Sequence, residues 1–259
     1  MGPRRLPAAV LAAAEDRRGG ALEVAATAVD GLLEVAADPA LLDEAVAVLL
    51  AGQPAMAPIW HLAVAARDPD PRSALAGLRL RLRTDADAAV ATATTWLREH
   101  QATPGSVATV SHSSLVDRVL AALGHDRPPP SGHEGPPPPG HEGPPSSLRN
   151  AAPRRGSVAE PASAGAGLST ALGVGVVGAD AIGPEGLLNA AGTRELAGRV
   201  PTLVVATAVK LVPGEVFGRL GGPGFEVVAL EAVAAVVVGP EVLSPAQAGR
   251  RAAQLRTGR

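Results

Sequence analysis

A carboxylate, an amide and a hydroxyl stand at close spacing in the run Val176-Val177-Gly178-Ala179-Asp180-Ala181-Ile182-Gly183-Pro184-Glu185-Gly186-Leu187-Leu188-Asn189-Ala190-Ala191-Gly192-Thr193. The apolar start predicts a short buried strand over 174–177 that ends in Gly-Ala-Asp. Residues 181–186 read as a turn, and the Gly-Thr pair opens a helix over 193–199. Asp180 then stands at the carboxyl end of a strand, where open α/β sheets hold their ligands. A carboxylate there can move a proton or accept a hydrogen bond from a ligand hydroxyl. Asn189, Gly192 and Thr193 are candidates to hold a phosphate or ribose oxygen at the helix N-terminus. Simple N-capping by Thr193 is the plain alternative.

A second polar group is Ser111-His112-Ser113-Ser114, between a β-type run over 106–110 and a helix over 115–123. Its hydroxyls and the helix start could bind an anion, or they could only cap the helix. Gly173 to Gly178 fits G-x-G-x-x-G in form, but the glycines lie across the strand instead of between a strand and a helix. Dinucleotide binding needs the latter arrangement, so NAD is not expected. The repeated Gly132-His133-Glu134-Gly135 and Gly140-His141-Glu142-Gly143 units are read as solvated linker and not as a metal site. The chain has no cysteine, which excludes disulfides, thiolate metal sites and a cysteine nucleophile. No metal and no cofactor are expected.

The elements that must position these groups follow from composition and periodicity. The chain has 259 residues, enough for one large or two modest domains. It is 46% hydrophobic but only 2% aromatic, so its core is built from small side chains that each bury little area. A net charge of −2 argues against a dedicated nucleic-acid surface. Glu15 to Arg18 break up the N-terminal apolar run, and no segment has the length and flanks of a membrane span. The reading is a cytoplasmic protein with no membrane and no direct nucleic-acid partner. Helices are expected at 21–37, from 39 through 41–50, and at 56–66, 73–82 and 85–100; strands follow at 174–177, 203–206 and 233–238, with a terminal helix at 245–255. This places a helical domain at 1–104 and an α/β domain at 105–259. Residues 124–167 interrupt the latter as a Pro/Gly-rich insert, expected to be disordered and partly extended.

The order of the motifs resembles the family formed by the α, β and δ subunits of eukaryotic translation initiation factor 2B and the related methylthioribose-1-phosphate and ribose-1,5-bisphosphate isomerases. The family pattern G-A-D-x-I/V, turn, N-K-x-G-T is similar to the run around Asp180. Gln53-Pro54-Ala55-Met56-Ala57-Pro58-Ile59-Trp60, Val107 to Ser114, Pro201 to Ala206 and Val236 to Pro245 resemble four further family segments, in the same order. The resemblance implies a helical N-terminal domain and a Rossmann-like domain of the ribose-5-phosphate-isomerase/CoA-transferase type. It also implies dimerisation through the α/β domain, or a family-type oligomer. It gives Asp180 the place of a general acid/base and puts Lys210, the only lysine, near a K-F pair. It also puts Arg17 to Gly20 near an R-G-A phosphate loop with Arg18 as the binding arginine, although the favoured reading of these four residues is an exposed charged turn.

The departures bear on chemistry. Ser111 occupies the position of the isomerases' Cys, and a hydroxyl is a far weaker acid than a thiol. The Asn-Lys pair becomes Asn189-Ala190, and the family's E-S-R-P strand has no counterpart in the insert, where Arg149, Arg154 and Arg155 lie. The expectation is a non-catalytic protein that binds a sugar phosphate or nucleotide, with Asp180 hydrogen-bonding a ligand hydroxyl. The alternatives are an aldose–ketose isomerase acting on a ribose 1-phosphate derivative and a structural or assembly partner without a small ligand.

Overall fold

The computed structural model describes residues 5–110, 113–124 and 173–255. Ser111 and His112 lie outside them, as does the Pro/Gly-rich stretch expected at 124–167, apart from Gly124.

The N-terminal part is helical: α1 (Ala8–Glu15), α2 (Ala21–Val35), α3 (Pro39–Gly52), α4 (Ala57–Ala65) and α5 (Pro71–Glu99). Asp38 caps α3 and Asp70 caps α5, each accepting a backbone N–H three residues on, with proline at the first helical position. The two helices expected at 73–82 and 85–100 are a single helix. No glycine or proline interrupts residues 78–99, and Thr84 Oγ1 donates back to Leu80 O at 3.2 Å, so it offers no cap. The consequence is structural. Leu75, Leu78 and Leu82 pack into the core of the helical bundle, whereas Ala86, Ala89, Ala93 and Leu97 pack against the sheet. One helix therefore ties the two layers together.

The period then changes to strands: β1 (Val107–Ala108), followed by α6 (Ser114–Gly124), β2 (Val174–Val177), β3 (Ala181–Ile182), β4 (Gly186–Ala190), α7 (Thr193–Arg199), β5 (Thr202–Ala206), α8 (Gly214–Phe217), β6 (Phe225–Ala229), β7 (Ala235–Val238), β8 (Glu241–Leu243) and α9 (Pro245–Gln254). Five strands form a mixed sheet in the order β1-β2-β5-β7-β8, parallel except for β8. The central strands are buried on both faces, as parallel strands covered by helices must be. Helices α5 and α6 cover one face, with Val176, Leu203, Val205 and Val237. Helices α7 and α9 cover the other, with Val177, Val204, Val236 and Val238. The fold is thus an α/β sheet with a helical N-terminal part.

A second, antiparallel sheet, β3-β4-β6, was not foreseen. The expected turn over 181–186 is a hairpin in which Ala181 pairs with Leu188 and Ile182 with Leu187. All four side chains are buried, so the apolar residues on both sides of Gly183-Pro184-Glu185 favour pairing over an open turn. Asn189 consequently sits on a strand, opposite Glu226 of β6.

Candidate functional site

A cavity of about 630 Å³ opens at the carboxyl ends of β2 and β5. The connection after β1 runs to the face of α6, and that after β2 leads to the face of α7. Where such connections diverge, a sheet leaves a crevice beyond its strand ends. The helical part closes this crevice with two loops, residues 16–22 and 51–56.

Those loops are fixed to each other by buried polar contacts. Gln53 ends α3, is buried, and donates from Nε2 to Ala13 O at 2.7 Å and Asp16 O at 2.7 Å. Arg17 donates from Nη1 to Ala14 O at 3.0 Å and Gly52 O at 2.9 Å. A Cβ on Gly52 would run into Ala14 O, so only glycine lets the end of α3 approach α1 this closely. Asp16 accepts the backbone N–H groups of Arg18 and Gly19 at 2.8 Å each. These hydrogen bonds, that from Gly19 first, hold its carboxyl below the usual carboxylate range.

Asp180 lies three residues beyond β2, anchored by its own backbone. Its N–H donates to Leu188 O at 2.8 Å, and its carbonyl accepts from Ala57 N at 3.3 Å, at the start of α4. Lys210 ends the short helical turn that follows β5 and is buried, with its Nζ 3.9 Å from Asp180 Oδ1. Burial depresses the Lys210 pKa; the carboxylates of Asp180 and Glu23 pull the other way. Both residues line the cavity.

Of the other residues expected to act, Asn189 and Ser113 also line the cavity. Gly192 and Thr193 do not. Gly192 is the N-cap of α7, at φ +98°, which displaces Thr193 from the capping position. Thr193 Oγ1 instead accepts from Asn189 Nδ2 at 2.9 Å and donates to Ala190 O at 2.7 Å, which fixes the Asn189 side chain. Arg18 is absent from the lining and Arg17 is present. The alternation of side chains in Arg17-Arg18 gave no sign of which arginine faces inward. That is decided by the Asp16 turn and by the carbonyls that hold Arg17. Sequence reasoning also missed the 221–225 loop, which brings Gly221, Gly222, Pro223 and Phe225 to the cavity. Its glycines and proline marked a loop, but nothing in the chain order says where that loop folds.

The arrangement suits an anion. The N-terminus of α2 contributes Gly20 and Ala21, and that of α6 contributes Ser114 and Leu115. A Cβ on Gly20 would stand 3.6 Å from Ser114 Oγ, so the two helix starts face one another. The starts of two helices and the positive ends of their dipoles thereby meet in one space, with Arg17 and Lys210 at its wall. Among the described residues there is no cluster of His, Cys, Asp or Glu suited to a metal ion, and no helix is long and apolar enough to cross a membrane.

No protein-family model matches the chain, and no curated protein matches it. Solved structures do. A translation initiation factor eIF-2B from Pyrococcus horikoshii OT3 superposes with a TM-score of 0.61 at 16% identity, covering 94% of this chain and 98% of that one. The eIF2B beta of Chaetomium thermophilum superposes with a TM-score of 0.56 at 14% identity, covering 95% and 89%. A 5-methylthioribose 1-phosphate isomerase from Pyrococcus horikoshii OT3 gives 0.47 at 14% identity, covering 94% and 85%. The chain has the fold of the translation initiation factor 2B subunits, the architecture its sequence motifs resemble.

Proposed function

We propose that the cavity binds a small phosphorylated sugar or a nucleotide and that the chain is a non-catalytic binding or regulatory protein. The observation that carries this reading is the meeting of two helix N-termini, Arg17 and Lys210 around one cavity, where Asp180 and Asn189 suit ligand hydroxyls. The helix starts and Arg17 take the phosphate. Asp180 accepts from a sugar hydroxyl, and Asn189, held by Thr193, orients the ring. Assembly as a homodimer or a larger family-type oligomer belongs to the same proposal; it is supported by the sequence resemblance and is measured by light scattering.

A thermal-shift series with ribose 1,5-bisphosphate, methylthioribose 1-phosphate, ribose 5-phosphate, AMP and GDP tests the reading. A ligand that binds only the native state raises the melting temperature. The expected result is a rise with at least one phosphorylated compound that shrinks in Asp180→Asn. No rise at millimolar concentration contradicts the reading and favours a structural or assembly role.

A second reading, aldose–ketose isomerisation, is favoured by the Asp180–Lys210 pair, because proton transfer between adjacent sugar carbons needs a base and an acid close together. Turnover of ribose 1,5-bisphosphate or methylthioribose 1-phosphate that is lost in Asp180→Asn would replace the binding role with catalysis.

A further inference from the structure

Lys210 is the only lysine in the chain, and it is 4% exposed at the cavity wall. A buried ammonium is normally paired and hydrogen-bonded, because its desolvation is costly. Among the described residues, Lys210 Nζ makes no hydrogen bond. Its one ion-pair partner, Asp180 Oδ1, is 3.9 Å away, beyond hydrogen-bond reach. Burial favours the neutral amine, and the two nearby carboxylates only partly offset that. A lysine whose sole task was to attract phosphate would be better placed charged and hydrated. A desolvated lysine without a hydrogen-bond partner at a cavity wall, with a carboxylate 3.9 Å away to take its proton, is suited to attack a carbonyl carbon.

We propose that Lys210 captures the open-chain aldehyde of a phosphorylated sugar as an imine, while the phosphate rests against the N-termini of α2 and α6 and Arg17. This rests on the phosphate-binding reading of the same cleft. The Lys210 ammonium first gives a proton to Asp180. The amine then attacks the aldehyde carbon, a C–N bond forms, and the carbonyl π pair moves to oxygen. That oxygen takes a proton from the nitrogen to give the carbinolamine. Asp180 returns its proton to the carbinolamine hydroxyl, which leaves as water as the C=N bond forms. The sum is aldehyde plus lysine ammonium giving protonated imine plus water, with no oxidant or reductant. The cavity volume of about 630 Å³ accommodates a triose or pentose phosphate. Arg17 makes its protein hydrogen bonds from Nη1, so among the described residues Nη2 and Nε have no protein partner and can turn to the phosphate.

The test uses the full chain with D-glyceraldehyde 3-phosphate, trapping by borohydride and peptide mass spectrometry. The chain's α-amine is an internal reference for ordinary amine reactivity. The expected result is labelling of Lys210 well above that of the α-amine. It is suppressed by excess inorganic phosphate, weaker with unphosphorylated glyceraldehyde, and missing in Lys210→Arg. Labelling confined to the α-amine, or equal labelling by the two aldehydes, overturns the proposal. If Lys210→Arg does not fold, the ratio of Lys210 to α-amine labelling in the unaltered chain decides alone. Glycerol 3-phosphate, which has no aldehyde, separates the two readings. A thermal shift with it but no trapped adduct sinks the imine and leaves the phosphate site standing. No shift and no adduct sinks both.

Discussion

Lys210 Nζ lies 3.9 Å from Asp180 Oδ1, which joins the residue that follows β5 to the one that follows β2 across adjacent parallel strands. The lysine side chain is 6% exposed and the aspartate 20%, so the pair is desolvated on the cation side and open to the cavity on the anion side. That asymmetry leaves the carboxylate able to meet a ligand hydroxyl while it still lends charge to the ammonium. Asp180→Asn removes that charge and should depress the Lys210 pKa further. Amine-reactivity profiles against pH for the two proteins measure this directly: the Lys210 midpoint should move down in the variant.

Arg17 and Arg18 are adjacent in sequence but differ in placement. Arg17→Ala removes a guanidinium from the cavity wall and releases the carbonyls of Ala14 and Gly52. Loss of a charge-assisted contact of about 1.5–3 kcal/mol weakens phosphate-ligand binding roughly ten- to a hundredfold. Arg18→Ala should leave affinity within a factor of about two, since its side chain does not line the cavity. Titration calorimetry on both variants distinguishes the two arginines.

Gln53 satisfies main-chain carbonyls that no other side chain among the described residues reaches, apart from the Arg17 contacts. Gln53→Met keeps much of the volume and strips Ala13 O of this donor in a buried setting. The expected cost is about 1–3 kcal/mol of unfolding free energy, read in urea melts. Because the same contacts hold the loops at residues 16–22 and 51–56 together, ligand affinity should fall as well.

His61 supports the segment that follows Lys210. Its Nε2 is 2.8 Å from Leu211 O, and a carbonyl only accepts, so Nε2 carries the proton and donates. Burial lowers the His61 pKa, the bond to Leu211 O pulls it partly back up, and the charge of Arg81 adds a smaller lowering. The unfolded chain therefore takes up a proton near pH 6.5, before the folded chain does. Stability contributed by neutral His61 is complete above that value and is lost as the pH falls below it toward the folded pKa. The slope approaches about 1.4 kcal/mol per pH unit for one proton. Urea melts between pH 8 and pH 5 should show a shallower slope in His61→Gln than in the unaltered chain.

The parts of this structure set by local pattern were legible in the sequence. Val174–Val177 and Ala235–Val238 follow from short apolar runs, and Thr193–Arg199 opens at the Gly192-Thr193 pair. The parts set by tertiary contact were not. Breaks in polarity suggested two helices where Pro71–Glu99 runs unbroken, because half of its buried face serves the bundle and half serves the sheet. The β3-β4-β6 sheet escaped notice because Ala181-Ile182 is too short to carry a period and finds its partners only on folding. At the site, Asp180, Asn189 and Ser113, singled out by their motifs, and Lys210, singled out by the family resemblance, all line the cavity. The inward turn of Arg17 and the arrival of the 221–225 loop were not legible, because each depends on hydrogen bonds or packing from distant segments. Ser111 and His112 lie outside the described residues.

The central claim is that this cavity recognises a phosphate carried on a sugar. Isothermal titration of the full chain with ribose 5-phosphate and with ribose, side by side, tests it most directly. The account predicts saturable binding of ribose 5-phosphate at millimolar or tighter affinity, weakened in Arg17→Ala, with no detectable binding of ribose. Equal responses to the two sugars, or ribose 5-phosphate binding unchanged by Arg17→Ala, would contradict it.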